Sequence, residues 1–351
     1  MKCREITSRL ATAKDVQIIW DFYLKTNFLY AEKLLSMGDY GLAAQETLLR
    51  CLHLNSDDFR ICMSFDEERQ LRSLCTHASF SDAQGWVMHL ASDGDVKAMA
   101  SSIHACKPLT ARSSAKWIAY TFRGNNRSVR KLFTSVNSTL QCETENENYH
   151  FFKTDSLNLM NYSQKTRCYN KIRSANEQDR QTMLKKVTNS SERIALYALG
   201  SLDDFQESQM KQRFQNAGLR FERMAWAIEK NSNLLGLAIG EIRPPWWNMS
   251  NLSTGVRIFL SQPEHDIARQ LLSAASAWFD ARQAHNWTIL VSLYDAATNL
   301  AVNQCGTVST KQYYRITVPS VISGSILDYY NSFAKRRERN SAPIAVSSLS
   351  L

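Results

Sequence analysis

The sequence predicts an α+β fold of two tandem units, each a mixed, mostly antiparallel sheet flanked by helices. Three observations lead to this reading. The chain has 351 residues, more than a single core usually organises. Helical and alternating apolar patterns follow one another in the same order in both halves. The chain also aligns on itself at an offset of about 170 residues, the signature of a repeat. In that alignment Gly85-Trp86-Val87 falls against Gly255-Val256-Arg257, Ala105 against Ala275 and Trp117 against Trp287, while Asn126 and Asn299 stand three residues out of step.

The first unit is expected over residues 1–158. "DVQIIWDFYLKTNFLYAEKLLSMGDYGLAAQETLLRCLHL" carries apolar residues at helical spacing and breaks at Gly38-Asp39, giving two or three helices. "FRICMSFD", "LRSLCTHASF" and "GWVMHLA" read as three strands joined by polar turns. "VKAMASSIHAC" is the next helix and "KWIAYTF" a fourth strand. "NNRSVRKLFTSV" is a further helix, and "TLQCE" with "YHFFKT" is expected to close the unit as a hairpin.

The second unit is expected over residues 159–333. "SANEQDRQTMLKKV" places Ser174 and Glu177 at capping-box spacing ahead of a helix, and "SLDDFQESQMKQRFQ" supplies another. "RMAWAIEK", "LLGLAIGEI" and "GVRIFLS" are strands, the first two joined at Asn231-Ser232-Asn233. "DIARQLLSAASAWFDARQ" is amphipathic, with Ile267, Leu271, Leu272, Ala275 and Trp278 on one face. "WTILVSLYD" is a strand, "TNLAVNQCG" a helix ending at Gly306, and "KQYYRITV" the last strand. Residues 334–351 form a basic tail that contains Lys335, Arg336, Arg337 and Arg339. In each unit a helix between two neighbouring strands implies one parallel crossover in an otherwise antiparallel sheet, with the two strands splaying where the crossover begins.

Composition bounds the chemistry. Apolar residues make up 44% of the chain, charged residues 21%, and there are six prolines, the profile of a soluble globular protein. The formal net charge of +9 admits anionic partners: nucleic acid, a nucleotide or an acidic membrane surface. Eight cysteines without CxxC or zinc-like Cys/His spacing read as buried free thiols of a reducing cytoplasm, and no metal site is expected. No apolar stretch approaches the length of a membrane span, and "MKCREITSRLATAKD" lacks the apolar run of a signal peptide. Walker A, HExxH, GxSxG and GxGxxG motifs are all absent. "RPPWWNMSN" places Trp246 and Trp247 in a strand connection, as a contact for a partner or a wedge between the units. Arg123, Arg127, Arg130 and Lys131 concentrate charge at a helix start, for phosphates or for solvent.

"KWIAYTFRGNNRSVRKLF" and "NWTILVSLYDAATNLAVNQCG" share one layout: a Trp, a short apolar strand, an Asn and the start of a helix. Asn126 is followed by Val129 and Asn299 by Val302, and "RLATAKDVQIIWDFY" opens the chain from Arg9. With this order of elements the chain resembles the GNAT family, the GCN5-related N-acetyltransferases, as a tandem of two such units. The resemblance implies a site for acetyl-CoA or another acyl-CoA. There, a loop of form Arg/Gln-x-x-Gly-x-Gly/Ala after the fourth strand offers backbone N–H groups to the pyrophosphate at a helix N-terminus.

Neither unit keeps that loop. Counting back from Leu271 and Leu272 places Pro263, Asp266 and Ala268 at the motif positions; starting at Gln262 places His265 and Ile267 at the glycines. Gln262, His265, Asp266, Ile267, Ala268 and Asn299 are the expected cofactor contacts. The same offset puts Asp93, Val96 and Ala98 in the first loop, where Asp93 and Asp95 would face a polyanion. Acetyl transfer to an amine needs a base for the amine proton and often an acid for the leaving thiolate. The family often supplies a Glu on the fourth strand and a Tyr two turns after the Asn. "GVRIFLS" has no carboxylate, so Glu241 on the preceding strand is the substitute, and "GWVMHLA" offers His89. Phe133 and Gly306 stand at the Tyr position, which leaves Tyr294, with Tyr313 and Tyr314 as further strand aromatics. Three functions follow: an acyl-CoA-dependent N-acyltransferase working through the second unit; a catalytically silent GNAT-like module for a nucleotide-like ligand or a protein partner; or a basic nucleic-acid-binding protein.

Overall fold

The computed structural model describes residues 5–26, 41–54, 59–78, 84–108, 117–123, 126–137, 143–153, 171–243, 254–305, 309–319 and 325–341. In the first unit, strand β1 (Thr7–Leu10) leads into helices α1 (Val16–Lys25) and α2 (Gly41–Leu54). β2 (Phe59–Phe65), β3 (Leu71–Ala78), β4 (Gln84–Ser92), α3 (Val96–Ala105), β5 (Trp117–Arg123), α4 (Arg127–Asn137) and β6 (Glu143–Lys153) follow. The second unit begins with β7 (Lys171–Ser174), α5 (Glu177–Lys186), α6 (Ser190–Ala198) and α7 (Asp204–Asn216). It continues with β8 (Glu222–Lys230), β9 (Asn233–Ile242), β10 (Gly255–Leu260), α8 (His265–Asp280), β11 (Asn286–Ser292), α9 (Ala296–Gln304) and β12 (Ser309–Pro319). Helix α10 (Ile326–Ser341) runs across residue 334, where the tail was expected to start; its apolar Ile326, Leu327, Tyr329 and Tyr330 pack into a core and carry the helix onward. Residues 342–351 lie outside the described residues.

The strands form one twelve-stranded sheet in the order β1-β2-β3-β4-β5-β12-β6-β11-β10-β9-β8-β7. Within each unit the first four strands are antiparallel neighbours. The fourth and fifth are parallel, because α3 and α8 carry the chain back between them. The centre of the sheet departs from the sequence expectation. β6 is one continuous strand in place of a hairpin, and it pairs with β11 of the other unit, Trp287 opposite Phe152. β12 reciprocates by pairing with β5, Pro319 opposite Trp117, and the two exchanged strands pair with each other. Each unit's closing strand thus completes the other unit's sheet.

The duplication extends to side-chain detail at the two outer edges. Arg9 donates to both carboxylate oxygens of Asp15, at 2.9 and 2.7 Å, and Arg173 to both of Asp179, at 2.7 and 2.8 Å. Each Asp also accepts the N–H of the residue three before it, Thr12 or Asn176. A bidentate Arg–carboxylate pair fixes both direction and distance, so it sets the angle at which the first helix leaves the edge strand. The capping box therefore lies at Asn176 and Asp179, two residues beyond the expected Ser174 and Glu177. Ser174 belongs to β7, and the Glu177 carboxylate accepts the Leu202 N–H and the Ser201 hydroxyl from the α6–α7 connection. The β8–β9 turn falls at Asn231 and Ser232, both at positive φ as a two-residue hairpin requires.

Helices cover both faces. In the second unit, Ile267, Leu271, Leu272, Ala275 and Trp278 of α8 are all buried, and Phe279 stacks on Trp287 with ring centroids 5.0 Å apart. The other face of this unit is closed by Met183 of α5 and Leu196 of α6 against Leu237, Ile239 and Phe259. In the first unit α3, α4 and α10 share one core. The opposite core joins Trp20, Tyr23 and Leu48 to Phe214, Leu219 and Phe221 from the second half of the sequence. Strand exchange and this shared core make the two units one cooperative body.

Candidate functional site

In the second unit the parallel strands β10 and β11 pair only at Gly255 with Thr288 and Val256 with Ile289, although they run on to Leu260 and Ser292. The pairing ends at a fixed apex. A Cβ on Gly255 would collide with the Thr288 carbonyl oxygen, so only glycine lets the backbones approach this closely. Thr288 donates its N–H and its hydroxyl to the Thr254 carbonyl, at 3.0 and 3.2 Å, and holds the apex shut. Beyond it the strands part toward the N-termini of α8 and α9.

Those two helix starts differ. α9 is capped by Asp295, whose carboxylate accepts the Thr298 N–H at 2.9 Å. α8 starts at Glu264, which makes no side-chain cap, so its first-turn amides carry the positive end of the helix dipole without an intramolecular carboxylate on them. Around this start the His265 imidazole lies 2.8 Å from the Gln304 side-chain oxygen at the end of α9. Asp266, largely exposed, lies 3.2 Å from Arg269 and 3.3 Å from His265. On the other lip Asn299 donates to the carbonyls of Ser292 and Asp295, both at 2.8 Å, stitching α9 to the end of β11. Tyr294 is 78% exposed at this lip.

The first unit has the same register, Gly85 opposite Ile118 and Trp86 opposite Ala119, the partners offset by 170 from those of the second. Its helix start is capped. Asp95 caps α3 by accepting the Ala98 N–H at 3.0 Å, and Asp93 accepts the Asp95 N–H and pairs with Arg72 at 3.0 Å. Gly94, at φ +112°, brings this loop against Ser128 of α4. Asn126 caps α4 through the Val129 N–H. Its counterpart in the second unit is Asp295, 169 residues on; Asn299 lies a turn inside α9 and not at the strand end, as the sequence alignment had it.

No protein-family model and no curated protein matches this sequence. Solved structures do. A Drosophila protein solved by X-ray crystallography covers 90% of this chain and 99% of its own at a TM-score of 0.50 and 10% identity, a likeness of fold. A tandem GNAT protein from the clavulanic acid biosynthesis pathway also covers 90% of this chain and 99% of its own, at 8% identity and a TM-score of 0.46. A GCN5-related N-acetyltransferase from Sphaerobacter thermophilus covers 90% and 96%, at 9% and 0.48. The chain has a tandem GNAT-like fold, a likeness of architecture alone.

The sequence-predicted residues of this chain separate into groups. Gln262, His265, Asp266, Ile267, Ala268 and Asn299 come together at the mouth of the second unit, with Ile267 and Ala268 buried beneath α8. Glu241 does not join them. It stands opposite Gly255, level with the apex, whereas Tyr294 lies past Ser292, which is about 13 Å along β11 at ~3.3 Å per residue. Both Glu241 oxygens are taken, one by Arg223 and one by Arg243, with Arg243 Nε at 2.8 Å. Burial alone would push the Glu241 carboxyl up, but the two guanidinium charges outweigh it and hold the carboxyl at about 2. Glu241 is a structural anion here, in place of the expected proton acceptor.

His89 sits in β4 of the other unit, opposite Thr76, and its side chain lies outside the described residues. Phe133, at the expected Tyr position, is buried against Tyr120 with ring centroids 4.9 Å apart. Gly306, Trp246 and Trp247 lie outside the described residues. Arg127, Arg130 and Lys131 are on the exposed face of α4, whose Val129, Leu132 and Phe133 are buried. Among the described residues no helix is long and apolar enough to cross a membrane, and no His/Cys/Asp/Glu group could hold a metal.

Sequence reasoning missed two features. The Arg223–Glu241–Arg243 triad had a visible signal, three charges on the apolar strands "RMAWAIEK" and "LLGLAIGEIR". Such charges survive burial only when paired. Arg223 also donates to the Leu199 carbonyl at 2.7 Å, closing the end of α6. The second feature is the Arg-x-Ala-x-x-x-Asp pattern shared by residues 9–15 and 173–179, readable at an offset of 164.

Proposed function

We propose that the second GNAT unit is an acyl-CoA site and that N-acyl transfer takes place along it. The observation that carries this reading is the uncapped start of α8 beside the parted ends of β10 and β11. A pyrophosphate needs converging N–H donors and a positive dipole end, and an uncapped helix start supplies both without glycines. The amides of His265, Asp266 and Ile267 are the assigned donors, with Gln262 and Ala268 flanking them. Arg269 offsets the Asp266 charge. Asn299 holds the opposite lip in place. The pantetheine arm then follows the gap between the strands toward the apex, where the thioester would meet an amine.

Tyr294 stands at the pyrophosphate end in this reading and is assigned to packing on the cofactor, not to proton transfer. His89, in the other unit, takes no part. With Glu241 committed to its arginines, the amine proton goes to solvent, and the transfer rate should rise with pH up to the pKa of the acceptor amine. The described cysteines are buried free thiols, in keeping with the reducing cytoplasm proposed for the protein.

A second reading, a silent ligand-binding module, is favoured by that same commitment of Glu241. Thermal-shift titration with acetyl-CoA and longer acyl-CoAs tests the site itself. A ligand at a hundred times its Kd stabilises the native state by about 2.7 kcal/mol, and no shift at millimolar ligand would sink both the acyltransferase and the acyl-CoA-binding reading. A shift without acyl transfer to any amine in a panel would select the silent module.

A further inference from the structure

We propose that Cys62 and Cys106 are a dithiol that closes to a reversible disulfide between β2 and the end of α3. The two sulfurs lie 3.0 Å apart in the core of the first unit, on elements separated by 44 positions in the chain. Cys62 is in the middle of β2, and Cys106 is the C-terminal cap of α3, its own N–H bonded back to Ile103. Both are buried, 0% and 2% exposed, among Met99, Ile103, Ile118 and Leu132. Two thiols held this close by packing need a shift of about 1 Å to reach bonding distance, far less than bridging unrelated cysteines demands. A third thiol, Cys75, stands opposite Cys62 on β3, and Cys106 also reaches it, through its side chain and, at 3.8 Å, its carbonyl oxygen. The 3.0 Å sulfur contact makes Cys62 and Cys106 the favoured pair of the three.

The step balances with a two-electron oxidant of the peroxide class. One thiolate attacks hydrogen peroxide to give a sulfenic acid and water; the second sulfur displaces hydroxide from it, forming the S–S bond and a second water. Contact between the sulfurs and burial push the Cys62 thiol far up, and Cys106 also lies well above its usual value. The pair therefore stays reduced and protonated at neutral pH and oxidises slowly. Once formed, the bond ties the C-terminal end of α3 to the sheet. The first unit's closed loop, at the N-terminal end of that helix, is thereby held more firmly.

The test uses the reduced full-length chain exposed to hydrogen peroxide, then unfolded, alkylated with iodoacetamide and digested for non-reducing peptide mapping. The expected result is a linked peptide pair carrying Cys62 and Cys106, the loss of two of the eight thiols, and a raised melting temperature that dithiothreitol reverses. Cys106→Ser should abolish the linked pair and the rise in melting temperature. If that variant does not fold, the wild-type map decides alone. Alkylation of both Cys62 and Cys106 after an exposure that oxidises other cysteines would overturn the proposal, and so would a Cys62–Cys75 link.

Discussion

Glu264→Asp tests the helix-start argument by turning the second loop into a copy of the first. At Asp95 a carboxylate one methylene shorter than Glu reaches back to the amide three residues on and caps α3. Glu264 occupies the same place before α8 in an extended conformation, φ −107° and ψ 110°, without a side-chain cap. An Asp at that backbone should cap the Ile267 amide. A new N-cap contributes about 1 kcal/mol, which in a chain of this size raises the melting temperature by about 1–2 °C. The same carboxylate takes a donor from the pyrophosphate and sets a negative charge against it. Losing that one charge-assisted hydrogen bond, about 1.5–3 kcal/mol, weakens acetyl-CoA binding by about one to two orders of magnitude in Kd. Differential scanning fluorimetry and isothermal titration calorimetry read both effects on one sample. The signature is opposite in sign: a more stable free protein and a weaker complex. A variant that gains stability yet keeps the wild-type Kd would refute the assignment of the α8 amides to the pyrophosphate.

Three further outcomes follow from the apex and the triad. Glu241→Gln leaves Arg223 and Arg243 buried without their anion and should cost about 3–5 kcal/mol in urea unfolding; a loss under 1 kcal/mol would mean that the triad is not desolvated. The pH dependence has a definite sign. The Glu241 carboxyl falls from 4.5 to about 2 on folding, so its contribution of about 3 kcal/mol (~2.5 × 1.36) is complete above pH 4.5 and is lost as the pH falls toward 2. The gap between wild type and Glu241→Gln should close over that window and stay open at neutral pH. Gly255→Ala places a methyl against the Thr288 carbonyl and should destabilise by about 1–3 kcal/mol. An Ala variant as stable as wild type would show that the strands can part further at no cost.

Much of the fold is legible in the sequence because most elements are specified locally. The α8 stripe from Ile267 to Trp278 and the strands flanking it fall where the apolar periodicity puts them. The partners of β6 and β12 are a different matter. An alternating strand carries its own pattern but not the identity of the strand it will pair with, and in a duplicated chain both fifth strands present similar backbones. Polar "ETENEN" also reads as a turn when it is the first half of a strand paired to β12 on one side and β11 on the other. Phe214 and Phe221 belong to the same class of invisible contact, since they pack into a core built from residues more than 100 positions earlier in the chain.

The site was less legible than the fold for a physical reason. Family motifs describe which residues permit an anion to approach a helix start, and glycine is one solution to that problem. An uncapped helix start is another, and it leaves no signature beyond the absence of a short polar residue at one position. Glu264 and Asp95 look interchangeable as acidic residues ahead of a helix. One methylene separates a carboxylate that closes the helix start from one that does not. In the proposed function the two units therefore differ through a side-chain length, while their strand register at the apex, Gly85 with Ile118 and Gly255 with Thr288, is the same.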